Sequence, residues 1–272
     1  MKLTPEQIQE NWDKLIDIVE TTFEGERKDK LIEMYEYFKD RAMFAPASGV
    51  VYYHNAWPGG YVDHILNITE CSKRIYHMWK DMGGHTDEYT EESVVFCALH
   101  HDLGKLGDLT EDYYVPNESE WHRINQGKMY EYNDKLHYMT VTDRAVWLLN
   151  HFGVEMTQVE YLALRLTDGM YEDANKGYLM GFGEGKNLKT NLPLILHQAD
   201  MMATRLEKER YMFSKDSDIK YSEILNPKLK EKREKEEQKS VEIIKKAVTV
   251  NKTPDILSDK SKDLFDELFG DK

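Results

Sequence analysis

The chain has 272 residues, of which 40% are hydrophobic and 32% are charged, and this is enough for one folded domain with an appendage. Its formal net charge of −14 argues against general nucleic-acid binding, which would need a local basic patch. An acidic chain favours a small substrate accompanied by a metal ion, because the ion brings its own positive charge.

The N-terminal residues and the cysteines indicate the compartment in which the protein is expected to lie. No apolar stretch follows the first six residues, so we expect no signal peptide. No window approaches about 18 consecutive apolar residues, so we expect no membrane span. Cys71 and Cys97 lie in apolar, helix-like segments without a CxxC pair. They are predicted to be reduced, buried thiols of a cytoplasmic protein.

Hydrophobic periodicity predicts a mainly α-helical chain. The first helix is expected to begin at Thr4-Pro5-Glu6, where a capping residue precedes a proline. Gly25 interrupts the pattern before a second helix. Residues 45–60 are loop-like because proline, glycine and asparagine are frequent there. Further helices are expected at about 61–82, 90–102, 141–152, 157–167 and 192–212.

Two segments between the predicted helices lack a regular pattern. Residues 105–139 are expected to form a long irregular excursion with room for a short hairpin, and loops of this length are often functional. Its aromatic residues are either a stacking surface for a base or a small satellite core, and we prefer the core. They are Tyr113, Tyr114, Trp121, Tyr130 and Tyr132. Residues 177–185 are predicted to be a glycine-rich loop.

The composition changes after about residue 211. This predicts a domain at residues 1–212 and a charged, helical or disordered tail at residues 213–272, since residues 228–239 are a dense Lys and Glu run. The chain ends in an acidic-hydrophobic cluster on one helical face. It is either a docking peptide for a groove on a protein partner, such as a sliding clamp, or a helical turn packed on its own domain. Its apolar members are Leu264, Phe265, Leu268 and Phe269.

The strongest chemical signal is the run from His100 to Lys105, which reads HHDLGK. It ends an apolar predicted helix, so His101 and Asp102 lie together at the helix end. Imidazole nitrogen with carboxylate oxygen suits Mn, Fe, Co, Ni, Zn or Mg. Gly104 is expected to let the backbone turn sharply beside these ligands.

A single His-Asp pair cannot hold a catalytic ion, so further ligands are expected. His64 lies in the first turn of the helix that follows a Gly-Gly pair. Asp200 lies in an otherwise apolar stretch of the last predicted helix, where an unpaired carboxylate would be costly to bury. Either a metal ion or Arg205 would compensate it.

The order His64, His101-Asp102, Asp200, with a GGxxxH opening and an HDxGK centre, resembles the HD superfamily of metal-dependent phosphohydrolases. The resemblance covers roughly residues 44–210. It is strongest between Ala45 and His64, where the chain is similar to the HD domain of bacterial 3′–5′ exoribonucleases and to related phage and bacterial HD proteins. It implies an all-α bundle, one divalent ion with these four residues as ligands, and hydrolysis of a phosphoester.

The mechanism that the resemblance implies is metal-assisted hydrolysis, in which the ion lowers the pKa of a bound water and polarises a phosphoryl oxygen. Asp102 is expected to be both a ligand and the catalytic group that orients the water. Lys105 is expected to meet a phosphate as a point charge, unless it is a plain surface lysine. Further substrate-binding candidates are His54, His122, Arg123 and Asp168.

Many HD proteins bind a second metal through additional histidines. In our matching to a related bacterial group these positions fall on Val141 and Thr167, so we expect one ion. The alternative is that His137 or His151 replaces them, although His151 is also a favourable cation at a helix end.

Two other histidines and the two irregular segments also have predicted roles. His100 and His197 are expected to be structural, with His197 steadying Asp200 as an outer partner. The 105–139 excursion is expected to roof the pocket, together with the 177–185 loop.

The function expected is hydrolysis of a phosphoester in a nucleotide or related small molecule. Two alternatives stay open. A 3′–5′ nuclease would need a basic stripe formed by Lys105, Arg123, Lys128 and Arg144. An HD scaffold would act as an adaptor through its C-terminal docking tail.

Overall fold

The computed structural model describes residues 3–213 except residues 182, 184 and 186. The predicted charged tail and its terminal cluster, Leu264, Phe265, Leu268 and Phe269, lie outside the described residues. The described part is mainly helical, as the periodicity predicts.

The two N-terminal helices begin where local sequence signals predict. Helix α1, Pro5–Thr22, is capped by Thr4, whose side chain accepts from the Gln7 backbone while the Gln7 side chain accepts from the Thr4 backbone. This reciprocal pair satisfies two backbone donors that the helix itself cannot. Helix α2, Gly25–Phe44, starts at Gly25, which has a φ of +58°. The predicted interruption at Gly25 is therefore the junction between the two helices.

Five further helices contribute buried residues to the core. They are α3, Gly60–Asp81; α4, Glu91–His100; α6, Val141–His151; α7, Gln158–Arg165; and α9, Leu192–Phe213. Helix α3 packs mainly against α4 and α9. His101 caps α4, and a short 3-10 turn, Leu103–Leu106, follows. Because α3 starts at Gly60, His64 lies in its second turn rather than its first.

The excursion between α4 and α6 contains strand β1, Tyr114–Pro116, helix α5, Glu120–Gln126, and strand β2, Tyr130–Tyr132. The strands pair antiparallel with Tyr114 opposite Tyr132. Since α5 connects them, they do not form a tight hairpin. Tyr113, Tyr114, Tyr130 and Tyr132 contact one another, but none of them is buried and Tyr132 is 69% exposed, so the cluster is not the small core that was predicted. Trp121 is 59% exposed and contacts His122.

The segment before α9 is more regular than predicted. It contains two 3-10 turns, Gly169–Tyr171 and Asp173–Asn175, and the short helix α8, Lys176–Leu179. The expected loop at 177–185 therefore begins inside a helix.

The main core lies between α1, α2, α3 and α4, where Trp12, Phe38, Tyr61 and Phe96 are buried. Both cysteines are buried and free. Within the described residues, no helix combines the length and apolar character that crossing a membrane requires.

Candidate metal centre

Three helices bring the four predicted ligand residues together. His64 comes from α3, His101 and Asp102 follow the end of α4, and Asp200 comes from α9. The Nε2 atom of His64 lies 3.5 Å from Oδ2 of Asp102 and 3.6 Å from Oδ1 of Asp200. The Nε2 atom of His101 lies 3.4 Å from the same Asp102 oxygen. Residues 136 positions apart in sequence thus converge because α3 packs on both α4 and α9.

Both histidines turn the same nitrogen toward the carboxylates. His101 donates from Nδ1 to the Ala98 carbonyl at 2.8 Å, and this leaves its Nε2 buried without a hydrogen-bond partner. His64 donates from Nδ1 to Glu207 at 2.9 Å. Metal-ligating histidines are usually anchored in this way through the nitrogen that does not bind the ion. The orphaned Nε2 of His101 beside the Asp102 carboxylate fits a divalent ion that takes nitrogen and oxygen ligands.

The sequence analysis missed Glu207. This carboxylate is buried, accepts from His64 Nδ1 and also accepts from Asn67 Nδ2 at 2.9 Å. It lies seven residues after Asp200, so both side chains project from one face of α9. That spacing is the only sequence signal for it, and the neighbouring Glu209 obscures it because the end of α9 is rich in charge.

The charges at the centre depend strongly on one another. Burial lowers the pKa of His64, but the carboxylates of Glu207 and Asp102 outweigh burial and raise it to about 10. Burial raises the pKa of Asp102, whereas Lys105 and His101 outweigh that effect and hold it well below its ordinary value. Lys105 Nζ lies 2.6 Å from Asp102 Oδ2. Lys105 is therefore paired with a predicted ligand and is not a plain surface lysine.

A cavity of about 510 Å³ opens over this centre. Its walls include His54, Lys105, Asp168 and Asp200, which were all predicted for the site. Asp168 accepts from Thr142 Oγ1 at 3.3 Å, and burial, followed by the charge of Asp102, raises the pKa of its carboxyl.

His54 lies directly beside the centre. Its ring centroid is 4.5 Å from that of His64, and its Nε2 is buried without a hydrogen-bond partner in the described chain. Burial and the neighbouring His64 hold the pKa of His54 well below its ordinary value. His54 is therefore a neutral imidazole that can donate to or accept from a ligand in the cavity.

Two predicted substrate residues lie elsewhere. His122, on α5, lines a neighbouring cavity of about 300 Å³ instead of the one over the metal centre. Arg123 donates to the Asn117 carbonyl and so belongs to the internal hydrogen bonding of the excursion. Arg123 lines neither of these two cavities, and that it binds substrate stays a prediction.

The positions expected to have lost a second metal site carry no metal ligand. Val141 lines the cavity, and Thr167 is buried. The proposed replacements, His137 and His151, are exposed and belong to no group of residues that could hold an ion in the described chain. His151 contacts the Trp147 and Phe152 rings instead.

The two structural histidines have clear partners. His100 donates from Nδ1 to the Phe96 carbonyl and stacks on Tyr35, and burial lowers its pKa to about 3. His197 hydrogen-bonds through Nδ1 to the Thr167 carbonyl at 2.8 Å. It therefore holds the segment before α8 and does not steady Asp200 as predicted.

Gly104 is required for a different reason from the one predicted. Its φ is not in the left-handed region, so the turn itself does not demand glycine. A Cβ at this position would lie 2.0 Å from the carbonyl oxygen of Val141. Glycine is thus needed because the first residue of α6 packs directly on the segment that carries Asp102.

The roof of the 510 Å³ cavity is formed by the excursion. Tyr113, Tyr114 and Tyr132 line this cavity, as predicted for that segment. Gly177, Tyr178 and Gly185 instead line a separate cavity of about 770 Å³ beside α7. The described residues of the glycine-rich loop therefore do not roof the metal centre.

His64, His101 and Asp102 place one ligand atom each close enough together to hold an ion, and Asp200, which also lines the open cavity, adds a carboxylate oxygen 3.6 Å from His64 Nε2. Comparison of the chain with protein-family models, with curated proteins and with solved structures found no match.

Proposed function

We propose that this protein is a metal-dependent phosphohydrolase that cleaves a phosphoester in a nucleotide or related small molecule at a one-metal centre of the HD type. The observation that carries the proposal is the meeting of the His64 and His101 Nε2 atoms with Asp102 and Asp200 beside an open cavity. A divalent ion bound there would lower the pKa of a water and polarise a phosphoryl oxygen.

The protein's own residues have separable roles in this proposal. The four ligand residues would hold the ion, and the Lys105 ammonium keeps the Asp102 carboxylate oriented. His54 would hydrogen-bond to the bound substrate through its unpartnered Nε2. Asp168 would face the substrate in the cavity, and burial, which disfavours the charged form, raises the pKa of its carboxyl.

Cationic side chains support an anionic substrate. Lys105, Arg205 and Lys208 all line the cavity, although the chain as a whole carries a formal charge of −14. A local cluster of cations in an acidic protein raises the concentration of phosphate groups at that point.

The nuclease alternative has less support from the geometry. Arg144 is only 2% exposed, donates to the His137 carbonyl and lies over the Tyr113 ring. Arg123 is held by Asn117. Two of the four residues of the expected basic stripe are thus engaged inside the protein, and we favour a small substrate. The adaptor alternative depends on the C-terminal tail, which lies outside the described residues.

The state of the two cysteines bears on the proposed compartment. Cys71 and Cys97 are both free and buried, which supports a reducing compartment such as the cytoplasm.

The test is metal-dependent turnover by the full-length protein. Nucleoside mono- and triphosphates and a labelled oligonucleotide would be incubated with the protein after EDTA treatment and again with added Mn²⁺, Mg²⁺, Fe²⁺, Co²⁺, Ni²⁺ or Zn²⁺. We expect release of phosphate or pyrophosphate from a nucleotide only when metal is present. Asp102→Asn should reduce turnover to background, whereas Asp87→Asn, which changes a carboxylate with 88% exposure, should leave it unchanged.

Metal content provides the second measurement. Mass spectrometry of the purified protein should find one equivalent of bound metal, and Asp102→Asn should lose it. The proposal fails if no divalent metal supports turnover of any substrate, or if both aspartate variants behave alike.

A further inference from the structure

We propose that the tyrosine-lined cavity beside the metal centre binds the nucleobase of the substrate. This inference rests on the proposed function for the phosphate end of the ligand and adds a separate site for its other end. We call the 300 Å³ cavity the base cavity and the 510 Å³ cavity the metal cavity.

The two cavities are neighbours with a common wall. Ser48, Tyr53, Tyr114 and Tyr132 line both of them. In this proposal the phosphate lies in the metal cavity and the base lies beyond the shared residues in the base cavity. A volume of 300 Å³ also lies at the lower end of the range of about 300–1,000 Å³ for small-molecule sites, as expected for part of a ligand.

The common wall offers aromatic faces. The rings of Tyr114 and Tyr132 are stacked with an interplanar angle of 22° and a centroid separation of 5.8 Å. Tyr132 is 69% exposed and Tyr53 is 64% exposed. Large rings left this open beside a cavity are suited to stacking on a planar heterocycle, since every base has a π-face.

The base cavity also carries groups that can read the edge of a heterocycle. Lys128 and Glu131 are among its lining residues, and neither forms an ion pair within the described residues. His122 lines it as well. An ammonium, a carboxylate and an imidazole supply both donors and acceptors. A nucleobase presents both kinds of group on its edge, whereas a simple sugar phosphate offers neither a planar face nor such an edge.

The cavity and its charges favour a single nucleotide over a strand. Arg144, which a strand-binding stripe would need, is buried. A base could still come from a free nucleotide or from the terminal nucleotide of a strand, because both carry the same ring. The experiment therefore includes both sources.

The first measurement is binding to the full-length protein in EDTA, where no turnover occurs. Isothermal titration would compare four nucleoside 5′-monophosphates with ribose 5-phosphate, which has the same phosphate and sugar but no base. We expect at least one nucleotide to bind roughly tenfold more tightly than ribose 5-phosphate, equivalent to about 1.4 kcal/mol. Equal binding of all five compounds would overturn the proposal.

Variants of the common wall test where the preference arises. Tyr132→Leu should abolish the advantage of the nucleotide over ribose 5-phosphate, while Tyr132→Phe should keep it because the ring remains. Tyr132 is exposed, so neither change should unfold the protein, and circular dichroism would check this. An unchanged advantage in Tyr132→Leu would contradict the assignment.

The polar residues of the base cavity allow an independent test of the proposal. Glu131→Gln replaces two acceptors with one acceptor and one donor, so the order of affinity among the four nucleotides should change. Glu155→Gln, at another exposed position outside the base cavity, should leave that order unchanged. The same order in both variants would count against base reading by Glu131.

Two comparisons remain. One distinguishes a free nucleotide from a strand end, and the other distinguishes failure of the base cavity from failure of the proposed phosphohydrolase activity. Tighter binding of a trinucleotide than of its terminal mononucleotide would support the base cavity and assign its ligand to a strand end. Base-dependent binding without any metal-dependent turnover would reject the phosphohydrolase alone. Turnover of ribose 5-phosphate and nucleotides with equal kcat/KM would reject the base cavity alone.

Discussion

His64 and Glu207 form a buried pair in which Nδ1 of the imidazole lies 2.9 Å from Oε2 of the carboxylate, and each side chain is 1% exposed. The bond fixes the ring so that Nε2 points toward Asp102 and Asp200. Outer carboxylates of this kind orient a ligating histidine and raise its basicity. We therefore assign Glu207 to the proposed metal centre as an outer partner of His64, although it is not one of the four proposed ligands.

Replacing Glu207 with glutamine should weaken metal binding by roughly 10- to 100-fold, which is the usual effect of losing such an outer partner. Glutamine can still accept from Nδ1 but brings no charge, so the ring should keep its place while its basicity falls. Titration of Mn²⁺ or Zn²⁺ into the purified variant would measure this. Glu209→Gln, at an exposed position of the same helix, is the control, and equal affinity in both variants would show that Glu207 has no role in the centre.

Metal binding should depend on pH because His64 holds an extra proton in the metal-free protein. Its pKa is raised to about 10, so at pH 7 the ring carries protons on both nitrogens, and the one on Nε2 must leave before a metal can bind. Affinity should therefore rise as the pH rises from 6 toward 9, by up to about tenfold per unit. Calorimetry in buffers of different ionisation enthalpy should show proton release on binding. A heat independent of buffer, with constant affinity over this range, would contradict the prediction.

Most of the fold could be predicted from the sequence because the signals that specify a helix lie within a few residues of one another. The cap at Thr4 and the apolar spacing of α3 and α9 depend only on near neighbours, and the structure places these helices close to the predicted bounds. The excursion was harder to predict because its segments have no periodicity. A helix therefore lies between its two strands where only a hairpin was anticipated.

The residues of the candidate site also fall into two groups: those that a short sequence motif predicts and those that only the tertiary structure brings together. His101 and Asp102 are adjacent in sequence, so a short motif was enough to select them. Glu207 could not be selected, because its role depends on a contact with a residue 143 positions away that exists only when α9 packs on α3. Arg123 was selected for its charge, but the carbonyl of Asn117 binds it, and nothing in the local sequence determines that orientation.

Arg205 should contribute to substrate affinity more than to the chemical step. It lines the metal cavity and, although Asp200 was its expected alternative partner, it forms no ion pair in the described part of the chain. A phosphate bound by this guanidinium would be held equally in the ground state and the transition state, so Arg205→Ala should raise KM with little change in kcat. We expect an increase of roughly tenfold, as for the loss of a charged hydrogen bond.

Steady-state kinetics with a nucleoside triphosphate would measure this effect, and its size should fall as salt increases. Arg74→Ala removes a guanidinium of 77% exposure that pairs with Glu70, away from the cavity, and should leave KM unchanged. The same KM in Arg205→Ala as in the wild-type protein would show that Arg205 does not contact the substrate.

Substitution of Gly104 should destabilise the protein. An added Cβ would meet the Val141 carbonyl oxygen at 2.0 Å, and this backbone cannot yield without moving the start of α6. Gly104→Ala should therefore cost about 1–3 kcal/mol or more, which lowers Tm by roughly 2–4 °C for each kcal/mol. Since Gly104 is two residues from Asp102, metal affinity should fall as well. Gly177→Ala, where nothing lies within 4 Å of the added Cβ, is the matched control. Thermal unfolding and metal titration that gave the same values for both variants would show that α6 does not position the Asp102 segment.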